Sequence, residues 1–550
     1  MAFSHETTPG TDVYGPGTYI DKKVLPVPED ARRVFEYLAS TTPGFTQNKE
    51  AWNTVRFEGC PDPMIPGSIK APVVAAALHA MCGVVANELL EIRDGRPASE
   101  GSVMVNTDQA AIWLGSALTS HINGSDIKSL VEAGKLGSLF DRDYEQGFGK
   151  GLASRATAIY QTKDPNVWYQ LHGSLNANHV LETMGIDTSV IFDSPSEYYD
   201  YIQKHVRQWS PDELEMHNVR HGLCGSICYT PGSWRKTEMG KQLAKHPFVN
   251  YTHETYAVPT PQQPLPKIST DQRPLAGIKV LEMVRIIAGP TIGVTLAAFG
   301  ADVIRVNCSR LPDLNVLQLV LNAGKRTIDL DITKPEDLSR LRELVADVDV
   351  FVQGFRYGSL DRKGLGLCNM LEMAANRGKG IVYVDENCYG PDGPFAERPG
   401  WQQIGDAASG SSYVMGALGA LMAIRDRAVK GGSYHVMSSL VAADNISLEQ
   451  EVGLYPLDVV HKTAEKFGFV PTTPDQFVTE ILFQVVDGWK KGRPGYVDED
   501  SPLMVTFEEG PWGRQTLLKP VVRLGDDAAT PRWTSPSVPN CYHDRNIDWR

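Results

Sequence analysis

Cysteine is scarce in this chain, with 8 in 550 residues and no clustered spacing, so no disulfide framework is expected and a reducing, cytoplasmic setting is the natural reading. Nowhere does an uninterrupted apolar run of about 18 residues occur, and the opening MAFSHETTPGTDVYGPG lacks the basic start and apolar stretch of a secretory leader. No membrane association is therefore expected. The closing DWR is not a peroxisomal address. Positive charge is also short: 53 Lys and Arg against 66 Asp and Glu leave a formal net charge of -13, which repels polyanions and argues against nucleic acid as a partner. The hydrophobic share of 42% and charged share of 22% are those of a globular protein and exclude disordered and collagen-like chains.

The length exceeds one ordinary core and predicts several domains. Five prolines among polar residues in AVPTPQQPLPKISTDQRPLAG (257 to 277) mark a linker, placed at 257 to 274. It separates an N-terminal half (1 to 256) from a domain at 275 to 416 and a closing module at 417 to 550. After the linker, IKVLEM (278 to 283), a helical TIGVTLAAFG (291 to 300) and ADVIRV (301 to 306) form a β-α-β unit. TIDLDI (327 to 332), a helix over 335 to 348, DVFVQG (349 to 354) and GIVYVDE (380 to 386) continue the alternation. That pattern predicts an α/β fold with a Rossmann-like parallel sheet covered by helices. A weak internal repeat pairs 88 to 114 with 421 to 446, each reading as a helix ending Ile-Arg-Asp, a turn, a strand and a second helix.

Three turns of this region have the composition of anion sites. Arg285-Ile286-Ile287-Ala288-Gly289-Pro290 opens a helix whose first N-H groups and dipole suit a phosphate, although an ordinary βα turn has the same form. No G-x-G-x-x-G fingerprint follows the first strand, which disfavours a nicotinamide-dependent oxidoreductase. Lys325 and Arg326 put two cations in a Gly-loosened turn, and Phe355 with Arg356 follows a strand end. His217, His221, Cys224 and Cys228 invite a metal reading. Their order and spacing match no zinc module, so packing is preferred and no metal is assigned.

Taken in order, PLAGIKVLEMVRIIAGP, LAAFGADVIRV, NAGKRTIDLDI, DVFVQGFRYGSLDRKGLG, GIVYVDENCYGPDGPF and RPGWQQIGDAASG resemble the class III CoA-transferases, the family of formyl-CoA transferase, crotonobetainyl-CoA transferase and alpha-methylacyl-CoA racemase. The resemblance covers about 274 to 416, and the N-terminal half with its YQTKDPNVWYQLHG segment also looks family-like, as though two halves were fused. It implies a CoA-binding Rossmann-like domain, a homodimer, no tightly bound cofactor, and a coenzyme A thioester as substrate with a carboxylic acid acceptor. By motif, Ile287 and Ala288 would approach the CoA, Lys325 and Arg326 would line its nucleotide side, and Phe355 and Arg356 would neighbour the thioester arm. Family transferases attack the thioester with an aspartate just after Arg-Pro-Gly-aromatic. Here that position is Gln402, an amide that can neither attack nor leave as a carboxylate does.

Asp406, one helical turn on, is a replacement if the substrate sits about 5 to 6 Å deeper, and otherwise a capping or solvated residue. Glu386 is a second candidate carboxylate. Racemisation at the carbon alpha to the thioester would draw its acid and base from Asp385, Glu386 and Asp406. A non-catalytic relative that only binds CoA thioesters is the third reading. SSYVMG (411 to 416) runs straight into the next helix, without the extra stretch that this fused layout usually carries.

Overall fold

The computed structural model describes residues 5–11, 13–99, 101–141, 149–255, 258–408 and 415–550. Its centre is a seven-stranded sheet built from β1 (Asn250–Glu254), β2 (Lys279–Met283), β3 (Asp302–Asn307), β4 (Arg326–Asp329), β5 (Val350–Gln353), β6 (Val382–Asn387) and β7 (Ser433–Ser439), in the order β1-β7-β6-β5-β2-β3-β4. All strands are parallel except β1, which runs antiparallel to β7 with Asn250 opposite Met437. From β2 the chain winds outward first through β3 and β4, then returns to the other side at β5. The order therefore reverses between β2 and β5, where an open α/β sheet places its ligand.

The helices relevant to the site are α1 (Ala71–Asp94), α2 (Ala288–Ala298), α3 (Pro335–Val345), α4 (Leu367–Arg377), α5 (Gln402–Ala408), α6 (Met415–Lys430) and α7 (Leu440–Ile446). Strand alternation sorts the core into two layers. Val280, Val350, Val352, Val382, Val384 and Val436 face α1, α2 and α6, whereas Leu281, Met283, Ile304, Phe351 and Tyr383 face α3 and α4. Both faces are thus covered, which is why these strands read as continuous apolar runs.

Helix α1 is the one described helix long and apolar enough to cross a membrane, and it is almost wholly buried inside the fold. It packs on α6, and Arg425 Nη1 bonds Glu88 Oε2 at 2.7 Å between them. The two copies of the repeat share further details. Arg93 pairs with Asp94 at 2.9 Å and Arg425 with Asp426 at 2.8 Å. Each following strand ends in a capping side chain, Asn106 accepting from Gln109 N-H at 2.9 Å and Ser439 from Ala442 N-H at 3.2 Å.

The expected segment boundaries are not spatial ones. The sheet placed at 275 to 416 needs β1 from before the linker and β7 from after it, while Val522–Leu524 pairs with Val103–Asn106 in the N-terminal half. Strand edges carry unpaired N-H and C=O groups, and each half covers an edge of the other.

Candidate functional site

Three loops meet at the C-terminal edge of the sheet, at the crevice between β2 and β5. A Cβ on Gly289 would lie 2.5 Å from Val284 Cβ, and one on Gly354 would lie 3.0 Å from Glu386 Oε2 and 3.6 Å from Val284 Cγ1. The two glycines are what lets the loops close on each other. Ile286 sits at φ +65°, a left-handed conformation that costs a β-branched residue about 1–3 kcal/mol. Ile287 follows, 46% exposed, and Ala288 opens α2. Phe355 and Arg356 border the same crevice from the loop after β5. Arg356 reaches across to the N-terminal half, its Nη1 lying 3.3 Å from where a Cβ on Gly222 would be.

Two expected ligands are not in this crevice. Lys325 is fully buried beneath α2, with its Nζ 2.6 Å from Glu282 Oε1 and 2.8 Å from the Pro290 carbonyl. It braces the first turn of α2 from inside, and burial lowers its ammonium to about 8 while Glu282 resists the shift. Arg326 opens β4 at the N-terminal, opposite edge of the sheet, where it grips Asp302 at 2.6 and 2.8 Å and the Asp548 carbonyl at 2.7 Å. Both cations are consumed by the fold, so neither lines the nucleotide side.

Glu386, next to last in β6, is half-buried, and desolvation by the surrounding protein pushes its carboxyl up to about 7. Helix α5 lies beyond it, packed on α7 and on the strand Gly225–Ile227. Gly405 has no Cβ, which lets α5 approach Asp444 so closely that a Cβ there would lie 2.7 Å from Asp444 Oδ2. Across this contact Gln402 Nε2 donates to Asp406 Oδ1 at 2.8 Å and to Asp444 Oδ1 at 3.3 Å. Asp444 is completely buried. An aspartate at 402 would make a third carboxylate in this group, whereas the amide supplies donors to both neighbours. Asp406 is solvent-exposed, yet the surrounding protein desolvates it and raises its carboxyl to about 7, opposed by the Gln402 bond. Water at its open face tempers that rise.

The N-terminal half grips this segment. Arg398 bonds Glu215 at 2.6 Å and the Gly225 carbonyl at 3.1 Å. Trp401 stacks on His172 with centroids 5.9 Å apart and donates to Ser174 Oγ at 3.3 Å. His172 Nδ1 accepts from Ser174 N-H at 2.9 Å, so Nε2 carries the proton and donates to Gln403 Oε1 at 3.1 Å. Burial lowers this imidazole to about 4, keeping it neutral. Tyr229 N-H caps α5 at the Ala407 carbonyl, 3.1 Å away.

Tyr14, half-exposed at φ +54°, lies near enough to Asp406 that desolvation by its surroundings and then the charge of Asp406 raise its hydroxyl. Of the five described non-glycine residues at positive φ, Tyr14, Ser174 and Ile286 border the site. Tyr14, His172, Ser174 and Asp444 escaped sequence reasoning; the only signals were the Gly-Pro-Gly after Tyr14 and the family-like YQLHG segment.

Asp385 points to the α3/α4 face, bonded to His435 Nε2 at 2.7 Å and to the Gln353 amide. The His217 and His221 rings lie 4.2 Å apart at a tilt of 34°, with His217 bonded to Thr183 Oγ1 at 3.0 Å, while Cys224 turns toward Ser174 and Trp401. Among the described residues no three His, Cys, Asp or Glu side chains are gathered to hold a metal. Ser409, Gly410 and the SSYV of 411 to 414 lie outside the described residues.

The pattern of CoA-transferase family III matches residues 275–450. An acyl-CoA transferase of Gibberella moniliformis is 40% identical over 568 aligned positions that cover 98% of each chain. An acetyl-coenzyme A transferase of Hypoxylon pulicicidum is 33% identical over 438, covering 73% of this chain and 72% of that one. The human succinyl-CoA:glutarate CoA-transferase is 31% identical over 156, or 26% and 35% of the two chains. Among solved structures, a CAIB/BAIF family protein from Brucella suis is 24% identical and covers 37% of this chain and 60% of its own, with a TM-score of 0.28. With a relative matched end to end at that identity, the chain belongs to CoA-transferase family III.

Proposed function

We propose that the protein moves coenzyme A from an acyl-CoA to a carboxylic acid acceptor, with Asp406 as the nucleophile in place of the aspartate that Gln402 replaces. The observation that carries this reading is the 2.8 Å bond from Gln402 Nε2 to Asp406 Oδ1. The bond engages Oδ1, so that Gln402 does not occupy Oδ2, and it fixes the orientation of a solvent-exposed carboxylate.

In the forward half-reaction an Asp406 oxygen attacks the thioester carbonyl, and the C-S bond breaks to give an acyl-aspartyl anhydride and the CoA thiolate. The thiolate then attacks the aspartyl carbonyl, expelling the donor carboxylate and leaving an aspartyl-CoA thioester. An acceptor carboxylate attacks that thioester to form a new anhydride and release the thiolate. Attack of the thiolate on the acceptor's acyl carbon gives the new acyl-CoA and restores Asp406. A carboxylate is suited to both roles because it attacks as an anion and leaves as one.

The test is an acyl-CoA incubation without acceptor, followed by peptide mapping. Asp406 should carry CoA with loss of water, and Asp406→Asn should carry none. An adduct at another residue, or transfer without any adduct, overturns the assignment. A proton-transfer reading, racemisation at the alpha carbon, is supported by Glu386, whose raised carboxyl suits an acid-base group near pH 7. It loses Asp385, which the His435 and Gln353 bonds hold on the other face of the sheet. Solvent deuterium entering the alpha carbon would select it.

A further inference from the structure

We propose that Asp385 and Gln353 are positioning residues that set the shape of the CoA-binding loop 354–358 from beneath, with His435 securing Asp385. The inference rests on the reading of that loop as a CoA contact.

The relay crosses four strands. Glu254 on β1 lies 4.0 Å from His435 Nδ1 on β7, His435 Nε2 is 2.7 Å from Asp385 Oδ2 on β6, and Asp385 Oδ1 accepts from Gln353 Nε2 at the end of β5. Gln353 Oε1 then accepts the Phe355 N-H at 2.8 Å. The last bond bends the chain into the loop, alongside Gly354 N-H to the Met283 carbonyl at 3.2 Å and Ser359 N-H to the Arg356 carbonyl at 3.0 Å.

The polarity of the relay runs one way only. An ionised aspartate accepts and never donates, so Asp385 forces the Gln353 amide to turn its nitrogen inward. The oxygen must then face Phe355 N-H. Were the amide to flip, two N-H groups would face each other across the first turn of the loop and that turn would lose its anchor. His435 completes the logic by donating to the second Asp385 oxygen through a charge-assisted bond. None of these side chains is needed to fill the core: His435, Asp385 and Glu254 keep 19%, 16% and 28% of their side-chain surface open. An aspartate and a histidine placed there serve orientation rather than burial.

The experiment compares Asp385→Asn, His435→Phe and His435→Gln by calorimetric CoA titration, steady-state kinetics and thermal melting. Asparagine at 385 can donate as well as accept, so the Gln353 amide is no longer dictated. CoA affinity should fall about tenfold and KM for the acyl-CoA rise by the same factor, with kcat within twofold and the melting midpoint unmoved. His435→Gln keeps an N-H donor and should bind CoA several-fold more tightly than His435→Phe. Wild-type CoA affinity in Asp385→Asn, or a loss of kcat without a change in KM, overturns the proposal. Calorimetry reads CoA binding alone, so its outcome does not depend on Asp406 being the nucleophile.

Discussion

Replacing Gln402 with methionine keeps the length of the side chain and deletes its two N-H donors. In the native site those donors lie 2.8 Å from Asp406 and 3.3 Å from Asp444. A hydrogen bond to an ionised group contributes about 1.5–3 kcal/mol, so its loss at Asp406 raises the carboxyl by about one to two units. The lower end applies, because Asp406 is open to water on one side. The native carboxyl stands at about 7 and must be ionised to attack. In Gln402→Met the acid limb of the kcat profile should therefore move up by about one unit. Activity near pH 7 should drop several-fold and recover toward pH 9. A profile lowered uniformly at every pH, with its midpoint unmoved, would refute the argument that Gln402 tunes Asp406.

Other consequences follow from the same geometry. Glu386 is raised from 4.5 to about 7, so its ionised form is disfavoured in the folded protein: that cost is absent below about pH 4.5 and complete above about 7. Glu386→Gln should accordingly stabilise the protein by about 1–3 kcal/mol at pH 8.5 and by almost nothing at pH 4.5, read from denaturant melts; equal effects at both pH values would contradict the burial argument. Lys325→Met leaves Glu282 buried opposite Arg305 at 3.6 Å alone, and should cost about 3–5 kcal/mol in the same melts. Tyr14→Phe removes the only described side-chain hydroxyl whose ionisation is shifted by Asp406, and should slow turnover about tenfold without changing the melting midpoint.

Much of the sheet was legible because parallel strands buried on both faces read as plain apolar runs, as IKVLEM and DVFVQG do. The parallel direction of these strands followed from the alternation of strands and helices. The edge strand Asn250–Glu254 did not, because a short, part-exposed strand with Thr, His and Glu carries no apolar run. The expectation of no long apolar stretch missed helix α1, because His79 and Asn87 break the uninterrupted run although its length and composition would suit a membrane span; the fold buries it instead.

The loops after β2 and β5 were legible in the sequence, whereas the electrostatics around α5 were not. Ile287, Ala288, Phe355 and Arg356 lie on turns whose position follows directly from the strands before them. Lys325 and Arg326 looked alike as neighbours in a turn, but entry into β4 sends one beneath α2 to Glu282 and the other to Asp302 at the far edge. Asp406 was visible as i+4 from Gln402, whereas Asp444, His172 and Tyr14 reach the same helix from 42, 231 and about 390 residues away along the chain, beyond any local pattern. The N-terminal half is thus part of the site, which explains why the matched block alone left the catalytic group unassigned.

A crystal structure with an unreactive acyl-CoA analogue bound is the most direct test. The Asp406 carboxylate should lie about 3–3.5 Å from the thioester carbonyl carbon, with Gln402 still bridging it to Asp444. A thioester placed against Glu386, or with no carboxylate in reach, would contradict Asp406 as the nucleophile.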